Sequence, residues 1–282
     1  MKRILITGKN SYIGKSFEKW ASQLNKVYQI DSISLRDGKW REYDFTPYNV
    51  VIHVAAIVHK KNVREQLYYE INRDLAYEVA NTAKKAGVEQ FIFFSTMSVF
   101  GLDSGVIDSK TKLEPKTVYG KSKLEAEKEI IKLKDRQFLV AVVRPPMIYG
   151  PKAVGNYAKL SKLAKKTPIF PKVNNQRSML YIDNLSNFLT ILIDNDLEGK
   201  FHPQNSEYVN TSDLVKKIGK ANNKNVVLLK GFAKIIYQLT KTMKIFQKVF
   251  GNLVYKSDYY LKASDYEVYD FEETIKISEG RV

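Results

Sequence analysis

Tyr119 and Lys123 lie four residues apart in the run Tyr119-Gly120-Lys121-Ser122-Lys123. On a helix that spacing puts both side chains on one face, where an ammonium beside a phenol favours the phenolate. The expected result is a tyrosine with a lowered pKa, able to exchange a proton near neutral pH. Such a pair is common by chance and gains meaning only from a second group. The stretch Ser95-Thr96-Met97-Ser98-Val99-Phe100-Gly101 supplies one, because it ends an apolar run with hydroxyls. A hydroxyl at a strand end can hydrogen-bond a substrate oxygen while Tyr119 gives it a proton or removes one.

A third cluster suits phosphate: Thr7-Gly8-Lys9-Asn10-Ser11-Tyr12-Ile13-Gly14. Gly8 permits a tight turn, Gly14 lets a helix pack closely on a strand, and the amides that open the helix can hold a pyrophosphate. Ser11 stands where such motifs often place a middle glycine, which loosens the backbone's approach to the phosphate. The alternative is an ordinary glycine turn. Coenzyme choice turns on the end of the following strand. An acid there binds ribose hydroxyls and favours NAD, whereas a nearby arginine accommodates a 2′-phosphate. Asp31 comes early and can be internal to the strand, while Ser34 and Arg36 fall where a phosphate-binding pair is expected. The reading favours NADP(H), with NAD(H) as the alternative.

These groups need a scaffold, and the apolar pattern supplies it. Ile4 to Thr7, Val27 to Leu35, Val50 to Val54, Phe91 to Ser95 and Val140 to Val143 are nearly continuous apolar runs, as buried parallel strands are. Between them Gly14 to Leu24, Gln66 to Gly87 and Tyr119 to Leu133 have helical character. The repeated strand–helix–strand rhythm predicts an α/β protein: a Rossmann-type doubly wound parallel sheet with ligands at the carboxyl ends of its strands. After Gly150 the rhythm changes, and Tyr181 to Leu192 reads as a return to the sheet. The expected division is a dinucleotide-binding domain at 1–150 plus about 175–198, and a smaller substrate lobe at about 151–174 plus 199–282. From Gly199 onward that lobe is expected to be irregular and basic.

Composition narrows the chemistry further. The 282 residues include no Cys, which excludes disulfides, iron–sulfur clusters, thiolate zinc and a cysteine nucleophile. Three histidines, His53, His59 and His202, have no two at ligand spacing, so no catalytic metal is expected. His53 and His59 read as packing or surface residues. No apolar run approaches the roughly 18 to 20 residues of a spanning helix, so the cytoplasm is the expected compartment. A net charge of +16 fits an anionic partner or simply a lysine-rich surface. No nucleic-acid recognition motif accompanies it, and no nucleic-acid partner is expected.

Taken with their order along the chain, these motifs resemble the extended short-chain dehydrogenase/reductase family, in its NAD-dependent nucleotide-sugar epimerase/dehydratase branch. The match runs from Ile4 to about Tyr208. Within the branch the chain resembles the capsule-locus nucleotide-sugar 4-ketoreductases of Gram-positive bacteria. That closer likeness rests on Val51 to His59, Arg144-Pro145-Pro146-Met147-Ile148-Tyr149-Gly150, Asn174-Asn175-Gln176-Arg177-Ser178 and Phe250-Gly251-Asn252-Leu253.

The resemblance implies roles residue by residue. Thr96 takes the place of the catalytic Ser/Thr, Tyr119 is the acid/base, and Lys123 binds the nicotinamide ribose and tunes Tyr119. Gly8, Asn10, Ser11, Tyr12, Ile13 and Gly14 cradle the dinucleotide, with Asp31 or Arg36 at its ribose. Asp44 and Phe45 lie near its adenine, and Ser95, Pro145 and Met147 line its path. Ala55 and Ala56 are the small residues of the loop after a fourth strand, where bulk would block it. Thr96, Met97, Tyr119, Asn156 and Arg177 face the substrate. A guanidinium at Arg177 can pair bidentately with a diphosphate, or can be a structural arginine.

The implied activity is reduction of a 4-keto group on a UDP-linked 6-deoxy-N-acetylhexosamine for surface polysaccharide. A UDP-sugar 4-epimerase using the same residues is the alternative, and a noncatalytic dinucleotide-binding regulator a distant one. A dehydratase is disfavoured, because Met97 and Ser98 stand where that branch carries an acid pair. The family's homodimer is implied too. Lys230 to Phe250 interleaves lysines with apolar residues and has no acid. It reads as a helix packing its apolar stripe inward, with peripheral contact to an anionic membrane as the alternative.

Overall fold

A computed structural model of the chain describes residues 1–24, 28–58, 63–256 and 261–281, the side chains of Lys244 and Ile245 excepted. Val27 and His59, both used above, lie outside the described residues. The chain divides into two compact units. Unit 1 comprises Met1–Gly101, Lys112–Pro145 and Ser186–His202; unit 2 comprises Leu102–Thr111, Pro146–Leu185 and Pro203–Val282.

The elements follow in order as β1 (Arg3–Thr7), α1 (Tyr12–Ala21), β2 (Gln29–Ile33), β3 (Val50–His53), α2 (Glu65–Tyr69), α3 (Leu75–Lys85), β4 (Gln90–Phe94), β5 (Gly105–Ile107), α4 (Val118–Ile131) and β6 (Leu139–Val143). They continue as β7 (Met147–Tyr149), α5 (Asn156–Ala164), β8 (Ile169–Pro171), β9 (Met179–Tyr181), α6 (Ile182–Asp194), β10 (Gly199–Phe201), α7 (Thr211–Ala221) and β11 (Val227–Leu229). The last are α8 (Ala233–Thr242), α9 (Lys244–Phe250), β12 (Leu253–Tyr255) and α10 (Phe271–Ser278).

Unit 1 is built on one parallel sheet in the order β10-β6-β4-β3-β1-β2. All five residues of β4 and all four of β3 are buried, which is why those segments read as nearly continuous apolar runs, broken only by Gln90 and His53 at their ends. α3 repeats small residues at helical spacing, and Ala76, Val79, Ala80 and Ala83 join Leu5, Val51, Phe91, Phe93, Val140 and Val142 in one core. The chain reverses direction across the sheet between β1 and β3, the kind of switch point where open α/β sheets bind ligands. The glycine motif follows β1 directly.

Several expectations need correction. Gly199–Phe201 is not the start of an irregular lobe but the sixth strand of the sheet, paired with Ala141 to Val143. At three residues, one of them lysine, it leaves no apolar run to read. Ala55 and Ala56 follow the third strand, not a fourth, because the segment that could have held another makes a 3-10 turn at Lys39–Glu42. Gln66 to Gly87 is not one regular helix: a π-turn at Glu70–Asp74 separates α2 from α3. Residues 102–111, 146–150 and 175–185 group with unit 2.

Unit 2 contains the parallel pairs β8–β11, β5–β12 and β7–β9, and helix α7, capped by Asn210 on the amides of Ser212 and Asp213. Lys230 to Phe250 forms two helices, since Met243 is extended (φ −119°, ψ 113°).

Candidate active site

α4 carries the proton-exchange candidates. Thr117 caps it, its hydroxyl accepting from the Gly120 amide at 3.1 Å. Gly120 is required by a close approach: a Cβ there would lie 2.8 Å from the Ser98 carbonyl oxygen and 3.0 Å from Pro115 Cβ. The missing side chain lets the first turn of α4 press on the 3-10 turn Met97–Phe100. As a result Tyr119 shares a hydrogen bond with the Thr96 side chain. Thr96 itself is extended (φ −162°), and its Oγ1 caps that turn by accepting from the Ser98 amide at 3.1 Å. The Met97 amide donates to the Pro145 carbonyl at 3.1 Å, tying the turn to the end of β6.

The electrostatics differ from the sequence expectation. Burial pushes the Tyr119 phenol up to about 12, and the Thr96 hydrogen bond offsets only part of that. Lys123 does not lower it, because burial of Lys123 brings its own pKa down to about 7 and removes much of its charge at neutral pH. Its Nζ sits 3.9 Å from the centre of the Phe93 ring. One turn further along α4, buried Glu127 pulls that value back upward. Glu127 is held bidentately by Arg144, with Nε to Oε1 at 3.0 Å and Nη2 to Oε2 at 2.5 Å. The Ser95 hydroxyl also donates to Glu127 Oε1. Ser95 therefore points its side chain at an internal ion pair.

Sequence reading missed this pair, and it missed Asn72. Asn72 is buried in the π-turn, where its Oδ1 accepts from the Ile57 amide at 2.8 Å. Its Nδ2 donates to the Ile57 carbonyl at 3.1 Å and to Ser122 Oγ at 3.1 Å. It joins the loop after β3 to α4. The available signal was the isolated polar residue on an otherwise small and apolar helical face.

The glycine loop fits a dinucleotide. Gly8 has φ +124°, and a Cβ there would lie 3.0 Å from the Ala55 nitrogen and 3.0 Å from Val54 Cγ2. The Val54 and Ala55 amides both donate to the Thr7 carbonyl at 3.1 Å, so the small-residue loop lies against the turn. Asn10 also takes a left-handed φ of 74°. Ser11 caps α1 by accepting from the Gly14 amide at 3.0 Å, and the first turn holds no acid to repel a phosphate. Tyr12 and Ile13 open that helix, half-buried.

β2 ends at Ile33, whose carbonyl accepts from the Gly8 and Lys9 amides at 3.0 and 2.9 Å. Asp31 lies inside β2, opposite Leu5, and accepts from Tyr48 Oη at 2.8 Å. The residues just beyond the strand are Ser34 and exposed Arg36. Asp44 is exposed, and hydrogen bonds from Thr46 hold its carboxyl below the ordinary value. Phe45 is buried edge-on against Trp40. His53 is a packing residue, stacked between Phe91 and Phe93 and bonded to Thr7 Oγ1 at 2.9 Å. Burial holds its pKa down near 3.

In unit 2, Met147 lies in β7 and Asn156 opens α5, exposed. Arg177 is half-buried. Its Nη1 donates to the Gly251 carbonyl at 2.9 Å, and its backbone exchanges bonds with Val209 at 3.0 and 2.9 Å. The Gln176 amide donates to Asn252 Oδ1 at 2.7 Å. The two motifs singled out around Arg177 and Gly251 are thus neighbours, and part of the guanidinium serves structure.

The NAD dependent epimerase/dehydratase family profile matches residues 4–203. The chain belongs to that family. It is 30% identical to a UDP-glucose 4-epimerase of Vibrio cholerae, over 91% of this chain and 84% of that one. It is 26% identical, over 79% and 70%, to an N-acetyl-alpha-D-glucosaminyl-diphospho-ditrans,octacis-undecaprenol 4-epimerase of Escherichia coli O157:H7. Its fold matches the crystal structure of UDP-glucuronic acid 4-epimerase from Bacillus cereus in complex with NAD. There the TM-score is 0.75 at 18% identity, covering 99% and 98% of the two chains. The chain is accordingly an NAD(P)-dependent enzyme of the nucleotide-sugar epimerase, dehydratase and reductase group.

Proposed function

We propose that this enzyme reduces the 4-keto group of a UDP-linked 6-deoxy-N-acetylhexosamine destined for surface polysaccharide. The observation that carries the reading is the end of β2. Its one carboxylate, Asp31, is turned to Tyr48 inside the strand, while Ser34 and Arg36 stand beyond the strand end that touches Gly8 and Lys9. That arrangement favours a coenzyme with a 2′-phosphate, and NADPH suits a net reductase because it exchanges with the reduced cellular pool. Unit 1 holds the dinucleotide through Gly8, Asn10, Ser11 and Ala55, and Asn156 and Arg177 of unit 2 serve the sugar nucleotide.

When bound, the dinucleotide supplies the hydride that C4 receives. The chain's own residues manage the proton. Tyr119, with its phenol near 12, is protonated at neutral pH and so is ready to donate to the C4 oxygen. Thr96 has one hydroxyl proton, and turning it from Tyr119 to that oxygen gives the oxygen a second hydrogen bond as negative charge develops. Lys123, near 7, holds a proton part of the time.

A 4-epimerase is the second reading, favoured by the names of the two relatives. It asks Tyr119 to remove a proton first, a harder task for a phenol raised by burial. The test is whether purified protein oxidises NADPH in proportion to a supplied UDP-4-keto-6-deoxy-N-acetylhexosamine. Stoichiometric consumption supports the reductase. No consumption, with UDP-hexoses interconverted in the absence of added coenzyme, establishes the epimerase instead. Arg36→Ala is expected to raise KM for NADPH about tenfold and leave NADH unaffected; equal effects on both would remove the argument from β2.

A further inference from the structure

We infer that unit 2 docks on an anionic lipid surface through the face built by β8, β11 and α8. The inference stands apart from the reading of the chemistry. Residues 214–256 contain ten lysines and no Asp or Glu, and residues 136–182 contain no Asp or Glu either. The fold brings the two acid-free stretches together, since β8 pairs with β11 and Phe170 packs on Phe250 with ring centres 5.7 Å apart. Two of those ten lysines, Lys217 and Lys220, pair with Glu272 of α10, and Lys165 of the other stretch pairs with Glu279 just beyond that helix.

A lysine surface alone would be a solvated face, but this one exposes large apolar groups. Phe232, Ile235, Leu239 and Met243 repeat at helical spacing along α8, on the side where Ile236 is buried. Phe232 is 46% exposed, Ile235 59% and Met243 45%. Ile169 and Val227 are register partners in β8 and β11, the second of which leads into α8 along the chain, and each is 50% exposed. The helix anchors one edge of its stripe and leaves the other uncovered.

The chemistry selects the occupant. A second copy would bring one acid-free lysine surface against another. A nucleic acid would use the charge and offer nothing to bury Ile169, Val227, Ile235 or Met243. An anionic bilayer satisfies both, because its headgroups attract the ammonium groups and its acyl boundary takes the apolar side chains. Lys230 and Lys234, at the start of α8, have stems long enough to keep their charge at headgroup level while the stripe inserts.

The experiment is co-sedimentation of the full chain with vesicles of phosphatidylcholine alone or mixed with phosphatidylglycerol, at low and raised salt. Binding is expected to the anionic vesicles only and to weaken as salt rises. The paired change Phe232→Ser with Ile235→Ser keeps every charge and is expected to weaken binding about tenfold or more. Hydrogen exchange of the parent is expected to slow on vesicle addition in peptides covering 227–243. No co-sedimentation would overturn the inference, as would equal binding to neutral vesicles or serine variants that bind like the parent. Protection of the same peptides by raising protein concentration without lipid would assign the face to a second copy instead.

Discussion

The two lysine populations of this protein sit in opposite environments. In unit 1, Lys123 is 1% exposed, lies on an aromatic ring and is followed one turn later by a glutamate that an arginine has already claimed. In unit 2, the lysines around α8 lie on a surface with no acid in its sequence and with apolar side chains exposed between them. The same residue type is buried in one place, where its pKa falls to about 7, and exposed to water in the other. Burial makes the difference: it costs a charge its hydration, and only the inner lysine pays that cost.

The sharpest way to break the unit 1 side of the comparison is Tyr119→Phe. It is expected to lower kcat by about a thousandfold or more while coenzyme affinity, read by fluorescence titration, stays within about twofold. Turnover that survives would remove Tyr119 as the proton donor. Next in size is Glu127→Ala, which takes from buried Arg144 the carboxylate that holds it bidentately. It is expected to cost about 3–5 kcal/mol in urea unfolding. A loss below about 1 kcal/mol would mean that water reaches the pair.

The smallest effect sharpens the comparison through pH. Lys123 falls from an ordinary 10.5 to about 7 on folding. Between those values the unfolded chain binds more protons than the folded one, so stability rises with pH, and the penalty is fully present below about 7. Lys123→Met keeps the volume and removes the penalty. The variant is expected to melt above the parent at pH 7, with the gap closing as pH approaches 10.5. A gap that is constant with pH would show the lysine to be charged in both states.

What was legible in the sequence follows the same division. Four strands of the sheet, β1, β3, β4 and β6, could be read because burial on both faces makes each a nearly unbroken apolar run, while β2 is a half-buried edge strand legible only within a longer stretch. The pairing of Tyr119 with Thr96 could be read because helix spacing and a strand end are local signals. β10 could not, since Gly199-Lys200-Phe201 is three residues long, one of them lysine, and has no apolar run of its own. The direction of the Tyr119 shift was misjudged because spacing reports that a lysine is near but not how far water is excluded from both. Glu127 and Arg144 are 17 residues apart on different elements, and no spacing rule links them. The inward stripe expected for Lys230 to Phe250 held for Ile236 alone of the large apolar residues of α8. Apolar spacing identifies a stripe without saying whether protein or lipid covers it.

The π-turn at Glu70–Asp74 carries a consequence of its own. A wide turn packs an extra residue into the helical path, so it acts as a phase shifter between α2 and α3. Each residue of an ordinary helix advances about 100°. Deleting one residue here would let the whole segment close into a regular helix, and α2 would swing by about that angle against a fixed α3. Tyr68 would rotate out of its buried position, and Asn72 could no longer reach Ile57 and Ser122 together. The irregular turn is therefore a length gauge, and the chain should tolerate substitutions at its exposed positions far better than the loss of a single residue.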